Sequence, residues 1–295
     1  MAECFIPCVT LPLNFPQTFL PERRLLSQLL PFAGAGGSGD KVEIGAQTGI
    51  PTGASTGKVE PMVHFARGMG LVRAERSAGR WQLALTELGR VVAAGDPYLS
   101  QPATLWLLHL MLCRRCGLST PAAGIADAWF ALFAEGGLRL GNGFTRAAYL
   151  DYLTQRHGAK GYLRGLSGLV PRCYLEPRCL GPIGALALDE GVAGAATYLR
   201  RPAPAERAYF PVYAAYLYVV WDDLFPDDAQ LAVDDVFAES RALAVLGWDR
   251  ATASRWLDWM ADQGLIQIDR QTGNALALRL RETQQVVTGI YDELI

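Results

Sequence analysis

Apolar residues recur at helical spacing in the first third of the chain. Met62, Ala66 and Met69 follow one another at steps of four and three, so they share one face of a helix that begins near Lys58. A Gly-Ile-Pro turn at residues 49–51 separates this helix from a shorter apolar segment upstream. The pattern therefore predicts two helices joined by a tight turn.

Two strand-like runs, at 71–75 and 80–85, follow the second helix and enclose a polar turn at 76–79. Helix, turn, helix and hairpin in this order predict a winged helix-turn-helix in an N-terminal domain, 1–95. In such a unit the second helix can enter a major groove, and the hairpin can lie along the phosphate backbone.

The last part of the chain, 234–295, shows the same order of elements. A helix at 238–246 is followed by a turn and by a helix at 250–263, for which Asp249 is the expected N-cap. Strands are expected at 264–268 and 275–280, around a turn long enough for a wing. This pattern predicts a second winged helix.

The middle of the chain, 96–233, shows helical spacing and no alternation long enough for a sheet. We expect helices at 105–115, 124–134, 145–156, 161–170 and 209–221. The predicted fold is mainly α, with a helical bundle between two winged helices.

The candidate nucleic-acid contacts lie in the N-terminal unit. Hydroxyls at the start of a helix suit phosphate contacts, and cations on the second helix and on the hairpin suit a duplex. Residues 58–90 hold six Lys or Arg against three Glu, a modest positive excess. The predicted DNA-binding residues are Thr52, Ser55, Thr56, Lys58, His64, Arg67, Arg73, Arg76 and Arg80.

The charge of the C-terminal part of the chain allows a second interpretation of its binding partner. The formal net charge is −2, and residues 234–295 hold ten acids against six Arg. Because duplex affinity rests mainly on phosphate neutralisation, the C-terminal unit is as well suited to a partner protein or to homodimerisation as to DNA.

Catalytic and metal-binding patterns are weak. No Asp or Ser lies near any of the three histidines at a spacing that predicts a triad, and His109 fits a core position. Cys113-Arg-Arg-Cys116 has the gap of a zinc knuckle, but buried thiols are the better interpretation. The Asp-rich run at 222–228 is interpreted as solvated helix caps. We expect no enzymatic activity, no cofactor and no metal.

Targeting signals are not visible in the sequence. The first twenty residues are interrupted by Pro7, Pro12 and Pro16, and the longest apolar runs are about half a membrane span. We therefore expect a cytoplasmic protein with reduced thiols and no membrane contact.

Several short motifs resemble an uncharacterised bacterial family with a winged-helix start. The motifs are Thr48-Gly-Ile-Pro-Thr-Gly53, Ser55-Thr-Gly-Lys-Val-Glu-Pro-Met62, Ala66-Arg-Gly-Met-Gly-Leu71, Leu85-Thr-Glu-Leu-Gly89, Gly95-Asp-Pro-Tyr-Leu99 and Leu105-Trp-Leu-Leu108. Members of that family are found in phage-defence clusters beside sulfur-handling genes related to DNA phosphorothioation. The chain departs from the family at Pro16-Gln17, where a Gly-His pair is expected.

The resemblance implies a setting and no particular reaction. Together with the predicted winged helices, it suggests a DNA-binding accessory or regulatory protein of a defence or DNA-modification system. The alternative is a scaffold that assembles partner defence enzymes through the acidic C-terminal part without contacting DNA.

Overall fold

The structure, a computed structural model, describes residues 6, 8–53, 57–189, 196–270 and 274–292. Helices dominate these residues, as expected of a mainly α chain. Three small antiparallel sheets of three strands each accompany the helices in this part of the chain.

The first unit combines three helices with a short strand and a hairpin. Its elements are α1 (Arg23–Gly34), β1 (Ser38–Gly39), α2 (Lys41–Thr48), α3 (Val59–Gly68), β2 (Val72–Ser77) and β3 (Arg80–Leu85). Strand β3 pairs with both β1 and β2, so the sheet order is β1-β3-β2. The hairpin turns through Ala78 and Gly79, both at positive φ, and this two-residue turn matches the twist of the strands.

Two helices connect the first unit to the next: α4 (Glu87–Gly95) and α5 (Pro102–Cys113). Every residue of α5 after Pro102 is buried. A helix that is apolar all round belongs at the centre of a large core, and α5 packs there against a second such helix, described below.

The middle of the chain holds a sheet, so the expectation of a purely helical bundle is wrong. Its elements are α6 (Asp127–Phe130), a π-helical stretch (Ala131–Glu135), α7 (Gly136–Leu140), β4 (Gly143–Thr145), α8 (Arg146–His157), α9 (Leu163–Arg172), β5 (Leu186–Asp189) and β6 (Thr197–Arg200). The sheet order is β4-β6-β5. Strands of three or four half-buried residues carry too little alternation to be recognised in the sequence.

The last unit again ends in a hairpin. Its elements are α10 (Phe210–Leu224), β7 (Gln230–Ala232), α11 (Val233–Ser240), α12 (Ala242–Leu246), α13 (Arg250–Asp262), β8 (Ile266–Asp269) and β9 (Leu276–Arg279), and α14 (Thr283–Thr288) follows. The sheet order is β7-β9-β8. The single helix expected at 238–246 is broken at Arg241, which has a left-handed backbone.

One connectivity therefore occurs three times in the described part of the chain. Each unit runs helix, strand, two helices, strand, strand, except that in the last unit the helix before α13 is split into α11 and α12. In each sheet the third strand lies between the first and the second. The sequence pattern predicts a helix pair and a hairpin in the first and last copies, but neither their first strands, β1 and β7, nor the middle copy.

The core runs between the units along α5 and α10. Tyr213, Tyr216, Tyr218 and Trp221 of α10 are buried, so this aromatic stretch forms part of the core. The side chain of Asp223, two positions after Trp221, is 1% exposed and lies 3.1 Å from the guanidinium of Arg114. The interpretation of Asp223 as a solvated helix cap is therefore wrong.

Candidate nucleic-acid interface

The predicted contacts of the first unit lie around α3 and the β2–β3 hairpin. Ser55 and Thr56 lie outside the described residues. Thr52 forms an isolated antiparallel bridge with Gly57 in the loop before α3. Thr52 is thus held by the backbone of the loop that leads into the helix.

Three of the predicted cations are engaged with carboxylates of the same unit. Lys58 lies 2.5 Å from Glu22, Arg76 lies 2.7 Å from Glu60, and Arg80 lies 2.8 Å from Glu43. The side chains of the three cations remain between 28% and 51% exposed. Pairs at such exposure are worth about 0.2–1 kcal/mol, so a phosphate can compete for the cation. The carboxylates nevertheless lower the net positive charge of this face.

His64 is enclosed by aromatic rings and does not add to the charge at neutral pH. Its ring centroid lies 6.0 Å from that of Phe15 and 5.4 Å from that of Trp81. Burial, reinforced by the neighbouring charge of Arg67, lowers the pKa of His64 to about 4. The neutral imidazole has one nitrogen that donates a hydrogen bond and one that accepts.

Helix α3 is covered on most of its surface. None of its residues is fully exposed, and only Glu60, His64 and Arg67 are half-buried. The irregular arm at 8–20 contributes to the cover, since Phe15 packs edge-on against Phe65 at 4.8 Å. A Cβ added at Gly68 would lie 2.8 Å from the side chain of Leu11 on the same arm. This helix offers a narrow edge to a ligand.

The middle unit presents more positive charge, and the sequence pattern, which misses its sheet, assigns this charge no role. Residues 146–172 contain five Lys or Arg and one acid, Asp151. The excess of cations is visible in the composition, but only the fold shows that α8 and α9 occupy the same places as α2 and α3. Four of these cations are exposed: Arg146, Lys160, Arg164 and Arg172.

The fifth cation, Arg156, is paired with two acids from the helical segments before β4. Its guanidinium lies 2.5 Å from Asp127 and 2.7 Å from Glu135, and His157 lies 2.9 Å from Asp127. Burial alone would raise the pKa of Asp127, but the hydrogen bonds from Arg156 and His157 hold it well below its usual range. This cluster lies at the end of α8, and its acids are engaged by Arg156 and His157.

Helix α13, which precedes the hairpin of the last unit, has a mixed face. Arg250 and Arg255 are exposed on α13, but so are Asp258 and Asp262. Arg250 lies 2.6 Å from Asp234, and Arg270 on the hairpin lies 2.5 Å from Asp258. The cations of this unit are balanced by acids, in agreement with the charge count of the segment.

Side chains that suggested chemistry elsewhere have structural partners. His109 Nδ1 lies 2.7 Å from the hydroxyl of Tyr174 in the core, and burial lowers the pKa of His109 to about 3. Cys113 is buried beside the same His109, and burial raises the pKa of its thiol. Cys116 contacts Cys8 instead, so the two thiols of the Cys-x-x-Cys motif have different neighbours.

The acidic run before β7 also forms internal contacts. Asp222 lies 2.5 Å from Arg279 and accepts a hydrogen bond of 2.5 Å from Thr283. Among the described residues, no three His, Cys, Asp or Glu side chains converge as metal ligands. No described helix is both long enough and apolar enough to cross a bilayer.

The fold thus defines a mainly α protein with one connectivity repeated three times, and two solved structures share it. The chain superimposes on a magnesium ion-bound crystal structure of SspB with a TM-score of 0.72, and on another SspB crystal structure with a TM-score of 0.70. In both cases the identity is 16%, and the match covers 95% of this chain and 87% of the other. No protein-family model and no curated protein matches the chain.

Proposed function

We propose that the three repeated units are winged helices and that the protein binds duplex DNA as a non-enzymatic accessory or regulatory component of a DNA-phosphorothioation-associated defence system. The observation that carries the proposal is the repeated order helix, strand, helix, helix, hairpin with a first-third-second sheet. In DNA-binding units built on a helix-turn-helix, the second helix of the pair enters the major groove.

The biological setting rests on two supports. The sequence motifs at 48–71 resemble a family from phosphorothioation-associated clusters. The fold shared with SspB over 95% of the chain fits a component of such a system.

In the first unit, we assign phosphate contacts to the residues predicted from the sequence. The exposed ion pairs of Arg76 and Arg80 can open, because their carboxylate partners are also partly in solvent. Arg67, Arg73, Arg76 and Arg80 form the edge of α3 and the hairpin, and Thr52, Ser55, Thr56, Lys58 and His64 complete the set.

Binding to plain and phosphorothioated duplexes over a salt series tests this function. We expect the logarithm of the binding constant to fall linearly with the logarithm of salt, with a slope of about −0.9 for each phosphate contacted. The Arg73→Ala, Arg76→Ala, Arg80→Ala triple variant should show a shallower slope, by about one for each phosphate that is no longer neutralised. Absence of binding by the wild-type protein at about 50 mM salt would contradict the function.

A scaffold without DNA contact is the second candidate, and the last unit favours it. Its α13 face pairs Arg250 and Arg270 with Asp234 and Asp258 and leaves Asp262 exposed, which suits a polar protein partner better than a phosphate backbone. A scaffold would co-purify with the products of neighbouring genes and would not shift duplex DNA at low salt.

A further inference from the structure

The exposed and half-buried residues of α9 lie on one side of that helix. Arg164, Gly165, Gly168 and Arg172 are spaced by one, three and four residues, which places them on a common face. The opposite side contains Leu163, Leu166 and Val170, which are buried. The helix therefore has a single solvent face with a cation towards each end.

A further cation reaches this face from the neighbouring helix. Arg146, the first residue of α8, donates a hydrogen bond of 2.6 Å from Nη2 to the carbonyl oxygen of Arg164. Its guanidinium lies across Gly168, where an added Cβ would meet Cζ of Arg146 at 3.0 Å. The contact fixes Arg146 within the α9 face, while its side chain remains exposed.

The face is open in the folded protein. Among the described residues, nothing lies within 4 Å of a Cβ placed at Gly161 or Gly165. A Gly inside a helix costs about 1 kcal/mol of helix stability relative to Ala, so Gly165 does not serve the helix itself. The helix corresponding to α9 in the first unit, α3, is largely buried beneath the arm and α5.

We propose that the α9 face, formed by Arg146, Arg164 and Arg172, is the principal duplex-DNA contact of the protein, together with Lys160, an exposed residue three positions before the helix begins. The inference rests on the proposed DNA-binding function and assigns the contact to the middle unit. Charge complementarity selects the partner, because four exposed cations on, beside and directly before one helix match a polyanion. The open position at Gly165 allows the helix backbone to come close to the DNA.

The dimensions of the face fit the major groove. Arg164 and Arg172 are eight residues apart, which is about 12 Å along a helix at about 1.5 Å per residue. The B-DNA major groove is about 12 Å wide, so cations at this separation can reach the phosphates on its two sides. Arg172 also lies 3.0 Å from Glu176, in an exposed pair that a phosphate can replace.

A pair of double variants with equal charge change tests the assignment. Lys160→Ala with Arg164→Ala removes two cations of the proposed contact. Arg207→Ala with Arg281→Ala removes two exposed cations that flank elements of the last unit, in the turn before α10 and shortly after β9. Anisotropy titration of the full-length chain with a labelled duplex gives the salt slope of each.

We expect the slope of the α9 double variant to be smaller in magnitude by about 1.8, because two phosphates are no longer neutralised. When the salt concentration rises from about 50 to 200 mM, the α9 double variant should therefore lose about tenfold less affinity than wild type loses. The control variant should keep the wild-type slope. Far-UV circular dichroism should be unchanged in both, since all four side chains are exposed.

The outcomes separate the inference from the function on which it depends. If wild type binds duplex and the α9 variant binds identically, the α9 assignment is overturned and DNA binding stands. If both double variants lose affinity equally, overall charge and not this face governs binding, and the assignment is again overturned. If wild type binds no duplex, the proposed function itself fails.

A neutral variant tests the close approach separately. Gly165→Leu leaves the charge unchanged and adds a side chain where the fold has open space. We expect the melting temperature to be equal to or above that of wild type, since Leu favours the helix, and duplex affinity to fall at least about tenfold. Unchanged affinity would show that the helix does not come close to the DNA.

Discussion

Asp223 and Arg114 form an ion pair in the centre of the molecule, where neither side chain has appreciable contact with water. The atoms Arg114 Nε and Asp223 Oδ2 lie 3.1 Å apart, with side-chain exposures of 0% and 1%. A buried charge without its partner cannot be solvated, so removing one partner costs far more than the pair contributes. We expect Asp223→Asn to lower the free energy of unfolding by about 3–5 kcal/mol in urea denaturation.

An exposed pair provides the matched control. Asp258 lies 2.5 Å from Arg270, and the two side chains are 52% and 54% exposed. Asp258→Asn makes the same chemical change and should cost less than about 1 kcal/mol. If Asp223→Asn lowered the free energy of unfolding no more than Asp258→Asn does, Arg114 would have found another partner or water after the substitution.

Asp222 and Asp223 show why single residues are difficult to place from the sequence. Both follow an aromatic run, and the sequence predicts solvated helix caps for both. Because α10 is buried on all sides, its apolar periodicity cannot tell which polar neighbour points inward. The core position predicted for His109 is confirmed, because that residue lies within a continuous apolar helix.

At the scale of elements, hydrogen bonds of the N-cap residue Thr86 connect α4 to the first unit. Thr86 Oγ1 accepts a hydrogen bond of 2.8 Å from Gly89 N and donates one of 2.5 Å to the carbonyl oxygen of Gly70. Thr86 is 1% exposed, so these bonds have no competition from water. We expect Thr86→Ala to reduce the free energy of unfolding by about 1–2 kcal/mol.

Thr86→Ser separates the two contributions of this side chain. Serine keeps the hydroxyl and lacks only a methyl group, so it should retain most of the stability in the same denaturation assay. If Ser and Ala are equally destabilising, packing of the methyl group and not capping holds α4 in place.

Elements with strong local signals can be predicted from the sequence, and elements without them cannot. Asp249 is a predicted N-cap, and its side chain accepts a hydrogen bond of 2.8 Å from the backbone N–H of Thr252 at the start of α13. The strand at 80–85 alternates between exposed and buried positions, which makes its hairpin recognisable. Strands β4 to β6 are shorter and half-buried, so the sequence pattern does not reveal the middle unit. The position of α9 in the repeated pattern is therefore not recognisable from the sequence either.

The candidate site could therefore be predicted only in part. Among the first-unit residues that the structure describes, Lys58, Arg76 and Arg80 have carboxylate partners that are distant in sequence or on another element. Tertiary ion pairs of this kind leave no local pattern. Burial of α3 by the arm depends on the irregular segment around Phe15, for which sequence periodicity predicts no position.

At the scale of the whole molecule, the end of the chain is docked on the helices that follow the first unit. The hydroxyl of Tyr291 lies 2.8 Å from Thr104 Oγ1 on α5. Its ring covers Gly95 at the end of α4, where an added Cβ would meet a ring carbon at 2.3 Å. Helix α14 also packs against α4 and α10, so the last unit and the first share one folded body.

Tyr291→Ala should consequently destabilise the whole molecule and not merely loosen its end. We expect a decrease of about 3 kcal/mol in the free energy of unfolding, and Tyr291→Phe, which removes only the hydrogen bond, should cost about 1 kcal/mol. Tyr98→Ala is the control, because that ring is 77% exposed and its removal should change stability by no more than about 0.5 kcal/mol.

Since Trp81, Trp129 and Trp256 place a reporter in each unit, tryptophan fluorescence and far-UV circular dichroism should give coincident urea midpoints for wild type. A Tyr291→Ala protein as stable as Tyr98→Ala would show that the C-terminal contact does not couple the units.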